Sequence, residues 1–90
     1  MKKISTELYQ DLALQFFKPG HRYHDYLLQG LQEEADEVVN ATTEKEMLDE
    51  LGDVLWYVTI LANRISATLN DVMIANINKL EKRQLNGKGK

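Results

Sequence analysis

From Thr43 to about Leu69 the chain carries one unbroken helical pattern whose middle is apolar on two sides at once. At about 100° per residue, Leu48, Leu51, Leu55, Val58, Ala62 and Ile65 form one stripe, and Tyr57, Ile60 and Leu61 form a second. A helix of this kind has to be covered on both sides. A chain of 90 residues has only three other helices for the task and a thin core of its own. The pattern predicts an all-α fold: an antiparallel helical bundle of about four helices per chain, its core completed by oligomerisation into a homodimer or homotetramer.

Caps and breakers set the remaining elements. Helix one is expected from about Thr6 to Phe17, with Leu8, Leu12 and Phe16 as its apolar stripe and Lys18-Pro19-Gly20 as its stop. Helix two runs from His24 or Asp25 to Asn40, turning Leu27, Leu31, Ala35 and Val38 inward. Thr43 and Glu46 have the spacing of a capping box that opens the third helix. Asn70 is the expected cap of a last helix ending near Arg83 or Gln84. Residues 1–84 thus read as a single domain, and 85–90, rich in Gly and Lys, as a flexible tail.

The chain has no Cys, which excludes disulfides and thiolate metal sites. Its first residues lead into polar Ser5, Thr6 and Glu7 rather than an apolar signal core. The longest nearly apolar run, Val54 to Ala62, falls far short of the roughly 20 residues that span a bilayer. A cytoplasmic location with no membrane partner is the expectation.

Chemistry enters with two acidic clusters, Glu33-Glu34-Ala35-Asp36-Glu37 and Asp49-Glu50-Leu51-Gly52-Asp53. Glu34 and Glu37 share one face of helix two, and Glu50 and Asp53 share one face of helix three. The helical wheel sets Glu34 between Leu27 and Val38, pointing toward the core, where an uncompensated carboxylate is costly. Gly30, on the same side, leaves room there. If the two helices pack antiparallel, four carboxylates converge on one spot, which is how a protein builds a hard-cation site. Seven acid pairs at i,i+3 or i,i+4 spacing would cost these helices roughly 1.5 to 3.5 kcal/mol, with Lys45 to Asp49 the main relief. A divalent cation removes most of that repulsion. A merely solvated acidic face is the plainer reading, and the inward angle of Glu34 weighs against it.

With no thiolate, and no His three residues after any Glu, the donor set favours Mg²⁺ or Mn²⁺ over zinc or a di-iron centre. Mg²⁺ keeps waters and completes its shell with substrate phosphates, so a phosphate ester or anhydride is the natural substrate. The charge distribution agrees. Nine of the fourteen acids lie between Glu33 and Asp53, whereas five of the eleven bases lie between Lys79 and Lys90. That is a poor surface for a nucleic acid polymer, which wants a basic patch. Asn76, Lys79 and Arg83 form one stripe of the last helix and present an amide, a point charge and a forked guanidinium to phosphate oxygens. Tyr23, His24, Trp56 and Tyr57 are candidates to touch a nucleobase, each equally readable as packing. His21 and His24 resemble a metal pair by spacing alone and read as ordinary surface residues.

The runs Gly30-Leu31-Gln32-Glu33-Glu34-Ala35-Asp36-Glu37, Asp49 through Tyr57, and Asn76 through Arg83 resemble the MazG-like nucleotide pyrophosphohydrolases of the all-α NTP pyrophosphatase superfamily. Their signature is Glu-x-x-Glu, a dozen or more residues, then Glu-x-x-Asp; here twelve residues separate Glu37 from Glu50. The resemblance covers about Leu28 to Arg83. Asp36 departs from it, standing where many relatives carry Gly, outside the metal face. The resemblance implies hydrolysis of a nucleoside triphosphate between its α and β phosphates, with Mg²⁺. It implies that Glu34, Glu37, Glu50 and Asp53 hold the metals as catalytic residues, and that Lys79, Arg83 and Asn76 hold the phosphate tail. Glu33 is a candidate to orient the water or act as base, although its wheel position faces outward. The alternative is a non-catalytic helical oligomer that binds nucleotide or metal in a regulatory or structural role.

Overall fold

In the computed structural model, residues 3–18 and 24–87 are described, the side chains of 24 and 25 excepted. They form four helices and no strand: α1 (Thr6–Gln15), α2 (His24–Val39), α3 (Glu44–Arg64) and α4 (Leu69–Leu85). None of them is long and apolar enough to cross a membrane.

Ser5 caps α1, its hydroxyl accepting the Leu8 N–H at 3.0 Å. The helix closes at Gln15, short of the expected Phe17, because the Phe16 and Phe17 N–H groups turn back to Ala13 and Leu14 in tightened three-residue bonds. The expected stop at Pro19 and Gly20 lies outside the described residues. The inward face of α1 keeps only Leu12, half-buried, of the expected stripe: it runs through Thr6, Tyr9, Gln10 and Ala13, while Leu8 and Phe16 are exposed. Directional bonds explain the choice. The Gln10 carboxamide oxygen accepts the Leu69 N–H at 2.6 Å, and the Ala13 carbonyl accepts the Trp56 indole N–H at 3.0 Å. Those two contacts fix which side of α1 meets α3 and α4.

The α2–α3 turn is short and well bonded. The Thr43 hydroxyl accepts the Glu46 N–H at 3.1 Å, as expected of a cap. The Glu46 carboxylate instead turns to Thr42, accepting from its N–H at 3.4 Å and its hydroxyl at 3.2 Å. On α2, Leu27 and Gly30 are buried and Leu31, Glu34 and Val38 half-buried, whereas Ala35 is exposed rather than inward.

The long pattern from Thr43 breaks earlier than its periodicity suggests. Ser66 adopts a left-handed backbone (φ 61°), and the Ala67 N–H returns to the Ala62 carbonyl at 2.9 Å, ending α3 at Arg64. Thr68, not Asn70, then caps α4 through a complete capping box with Asp71: each accepts the other's backbone N–H, at 3.0 and 2.9 Å. At the far end α4 reaches Leu85, followed by Asn86 and by Gly87 at φ 71°, a value that suits a residue without Cβ.

Helix α3 is the hub, touching all three others, and α2 packs along it most extensively. Leu27, Thr59 and Ile60 are fully buried, and the Thr59 hydroxyl donates to the Leu55 carbonyl at 2.8 Å, leaving no buried polar orphan there. The two stripes of α3 are covered unequally, with buried Ala62 and half-buried Val58 the inward part of the first. Tyr57, Ile60 and Leu61 face the protein's own helices, while Leu48 (71% exposed), Leu51 (49%), Leu55 (39%) and Ile65 (72%) are left to solvent in the single chain. On α4, Met73, Ile74 and Ile77 are exposed as well. The accessible surface is 7215 Å², about 1,800 Å² more than the roughly 5,400 Å² of a compact monomer of this mass. The radius of gyration, 14.8 Å, likewise exceeds the about 12 Å of a compact 90-residue chain.

Candidate metal centre

Helix periodicity brings the acids together. Glu34 belongs to the inward stripe of α2 that includes Leu27, Gly30 and Val38, and the antiparallel hairpin sets it opposite Glu50 and Asp53 of α3. One carboxylate oxygen from each of Glu34, Glu50 and Asp53 lies within 4.8 Å of the other two. Glu34 and Glu50 are half-buried and Asp53 exposed, so the triangle opens to solvent on one side. Three hard anionic oxygens at that spacing suit a divalent cation with vacant positions for water or phosphate.

Electrostatics makes the same point. Burial, then the charge of Asp53, then the charge of Glu50 and a hydrogen bond shared with it, and last the charge of Glu37 raise the Glu34 carboxyl above its ordinary value. Among the described residues Lys45 pairs with Asp49 at 2.8 Å, on the exposed side of α3. Glu37 stands outside the triangle, exposed, yet near enough for its charge to act on Glu34.

The aromatic residues divide. The Trp56 indole is committed to the Ala13 carbonyl and meets the Tyr57 ring edge-on, centroids 5.0 Å apart. Tyr57 faces the acids: burial first, then Tyr26, Glu34, Glu33 and Asp53, raise its phenol above the ordinary value. It also borders a small cavity of about 130 Å³ with Tyr26, Gln29, Gly30 and Glu33. Tyr23 and the His24 side chain lie outside the described residues.

Asn76, Lys79 and Arg83 are all exposed on α4, which packs on α1 and α3 and makes no contact with α2. Within one chain, then, α4 does not meet the helix that carries Glu34. Conversely, Tyr9 of α1 is a neighbour of the acids that sequence reasoning passed over. Its phenol is raised by burial and by the charge of Asp53. The only signal for it was its place on the stripe Thr6, Tyr9, Gln10, Ala13, which carries less hydrophobicity than the adjacent leucines.

With the geometry in hand, comparison with known proteins is decisive on one point. The profile of the MazG nucleotide pyrophosphohydrolase domain matches residues 22–87, a stretch that contains α2, α3, α4 and all four acids. This chain belongs to the MazG family. It is also 40% identical over 52 residues to the Gene 37 protein of Mycobacterium phage L5, a match covering 58% of this chain and 46% of that protein. The chain therefore spans under half the length of that relative. No solved structure matches it. The MazG match begins after α1, so Tyr9 lies in a part of the chain that the family profile does not describe.

Proposed function

We propose that this MazG-family protein is a Mg²⁺-dependent nucleoside triphosphate pyrophosphohydrolase, with Mn²⁺ as a substitute ion, that converts a (d)NTP and water to the (d)NMP and pyrophosphate. Housecleaning of nucleotide pools in the cytoplasm is the role that fits such a reaction. The observation that carries the reading is the meeting of Glu34, Glu50 and Asp53 oxygens within 4.8 Å, inside a stretch of known family. In the reaction a water oxygen joins the α phosphorus as its bond to the bridging oxygen breaks, and pyrophosphate leaves with that oxygen. A divalent ion, when bound, neutralises phosphate charge and polarises the water. Glu34, Glu50 and Asp53 hold that ion, and Glu37, within electrostatic reach of Glu34, completes the acidic wall. Without it the acids would repel a triphosphate. Asn76, Lys79 and Arg83 take the phosphate tail, the guanidinium suiting paired oxygens and the ammonium a single one; since α4 does not meet α2 within one chain, this reading has the substrate span from the acids to α4 or has a second copy bring α4 to them. Of the residues considered for the base, Tyr57 stands against the acids, whereas Trp56 spends its N–H on α1.

The working unit in this reading is a homo-oligomer, dimer or tetramer. The support is the exposed Leu48, Leu51 and Leu55 stripe of α3, with exposed Met73, Ile74 and Ile77 on α4. A nucleotide panel with Mg²⁺ or Mn²⁺, scored separately for pyrophosphate and orthophosphate, tests the reaction. Release of pyrophosphate with the monophosphate is expected; folded protein that yields neither product from any canonical or modified nucleotide would overturn it.

A further inference from the structure

Gly30 is buried on α2, one helical turn before Glu34 and on the same side. A methyl group built there would sit inside the Tyr57 ring: 2.6 Å from its hydroxyl oxygen, and closer still to the neighbouring ring carbons. The ring of Tyr57, which sits one turn after Asp53 on α3, therefore rests directly on the α2 backbone. The ring also meets Trp56 at near right angles, centroids 5.0 Å apart, and Trp56 is itself tied to α1 through the Ala13 carbonyl. A helix interior otherwise disfavours Gly, since Ala forms helix better at no cost in side-chain freedom. At this position, close approach of the two helices accounts for it.

We propose that Gly30 is a positioning residue of the metal centre: the missing side chain seats the Tyr57 ring against α2, and that seat sets the helix separation at which Glu34 reaches Glu50 and Asp53. The proposal rests on reading the acids as a metal site. Groups that orient metal ligands without touching the ion typically change affinity by about 10- to 100-fold when altered. Gly30 acts in that range, through spacing alone. The contact is steric, so its loss is repaired by shortening the partner: Leu in place of Tyr57 ends before the ring atoms that the methyl would meet.

The test uses the full-length protein and Mn²⁺, followed by calorimetry. Gly30→Ala is expected to keep its helical circular dichroism, Ala being the better helix former, while Mn²⁺ affinity falls about tenfold or more. The Mn²⁺ concentration giving half-maximal pyrophosphate release should rise to match. A variant that had only lost folded protein would lose rate at every Mn²⁺ concentration instead. Gly30→Ala combined with Tyr57→Leu should recover wild-type Mn²⁺ affinity, whatever Tyr57 itself contributes to turnover. If the single variant does not fold, the folded double variant carries the test: wild-type affinity supports the seat and weak affinity overturns it. Equal Mn²⁺ affinity of wild type and Gly30→Ala overturns the role of Gly30 and leaves the metal site standing. Wild-type protein that binds no Mn²⁺ overturns both.

Discussion

Three carboxylates that share a few ångströms repel one another, and burial together with that repulsion raises the Glu34 carboxyl above its ordinary value. A carboxyl whose pKa is raised in the native state keeps its proton more tightly there than in the unfolded chain. Its contribution to stability is therefore full below the unfolded value, about pH 4.3, is lost as pH rises toward the raised value, and stays lost above it. Glu34→Gln removes that deficit. At pH 8 without metal, the variant should melt about 2–4 °C higher, equivalent to relief of about 0.5 kcal/mol of like-charge repulsion. At pH 3.5 the difference should vanish. Melting curves at the two pH values check it, and a variant less stable than wild type at pH 8 would contradict the reading. Saturating Mg²⁺ should stabilise wild type by the mass-action term, about 2.7 kcal/mol at one hundred times its dissociation constant, and the variant by far less.

Among the elements, the acid-bearing hairpin was the legible part of the chain. Its signal is geometric: carboxylates three residues apart on helices with a strong 3.6-residue period, separated by a short polar turn capped at Thr43. The end of α3 was not legible, because Ile65-Ser66-Ala67 contains neither Gly nor Pro, although Ser66 takes a left-handed backbone just before the cap of α4. The Thr68 to Asp71 spacing was in the sequence, but the continuing apolar period ran over it. The buried side of α1 was hidden for another reason, since hydrogen bonds to Gln10 and Ala13, rather than leucines, choose it. If the capping box is what breaks α3 from α4, Thr68→Ala should cost about 1 kcal/mol and lower the melting temperature by roughly 4–8 °C. Thermal denaturation followed at 222 nm measures this, and an unchanged midpoint would assign the break to Ser66 alone.

At the scale of the molecule, one chain leaves an apolar seam along the first half of α3 and a second along α4. A second copy over Leu48, Leu51 and Leu55 would bury leucines worth about 1.5–3 kcal/mol each. Replacing Leu48 and Leu51 together by Asp should then weaken self-association at least a hundredfold and yield monomers in sedimentation at micromolar concentration. A wild type that sediments as a monomer would refute the association itself. The choice of faces was only half readable beforehand. Periodicity showed that α3 has two, whereas the one kept for the chain's own helices follows from where α2 lies, a tertiary fact. The lone tryptophan of the chain stands where these parts meet, its N–H on α1 and its edge against the tyrosine that faces the acids. The chain thus contains its own optical gauge: a single tryptophan, excitable apart from the four tyrosines and in need of no label, whose emission should shift if α1 loosens or if an ion settles among the acids beside its neighbour.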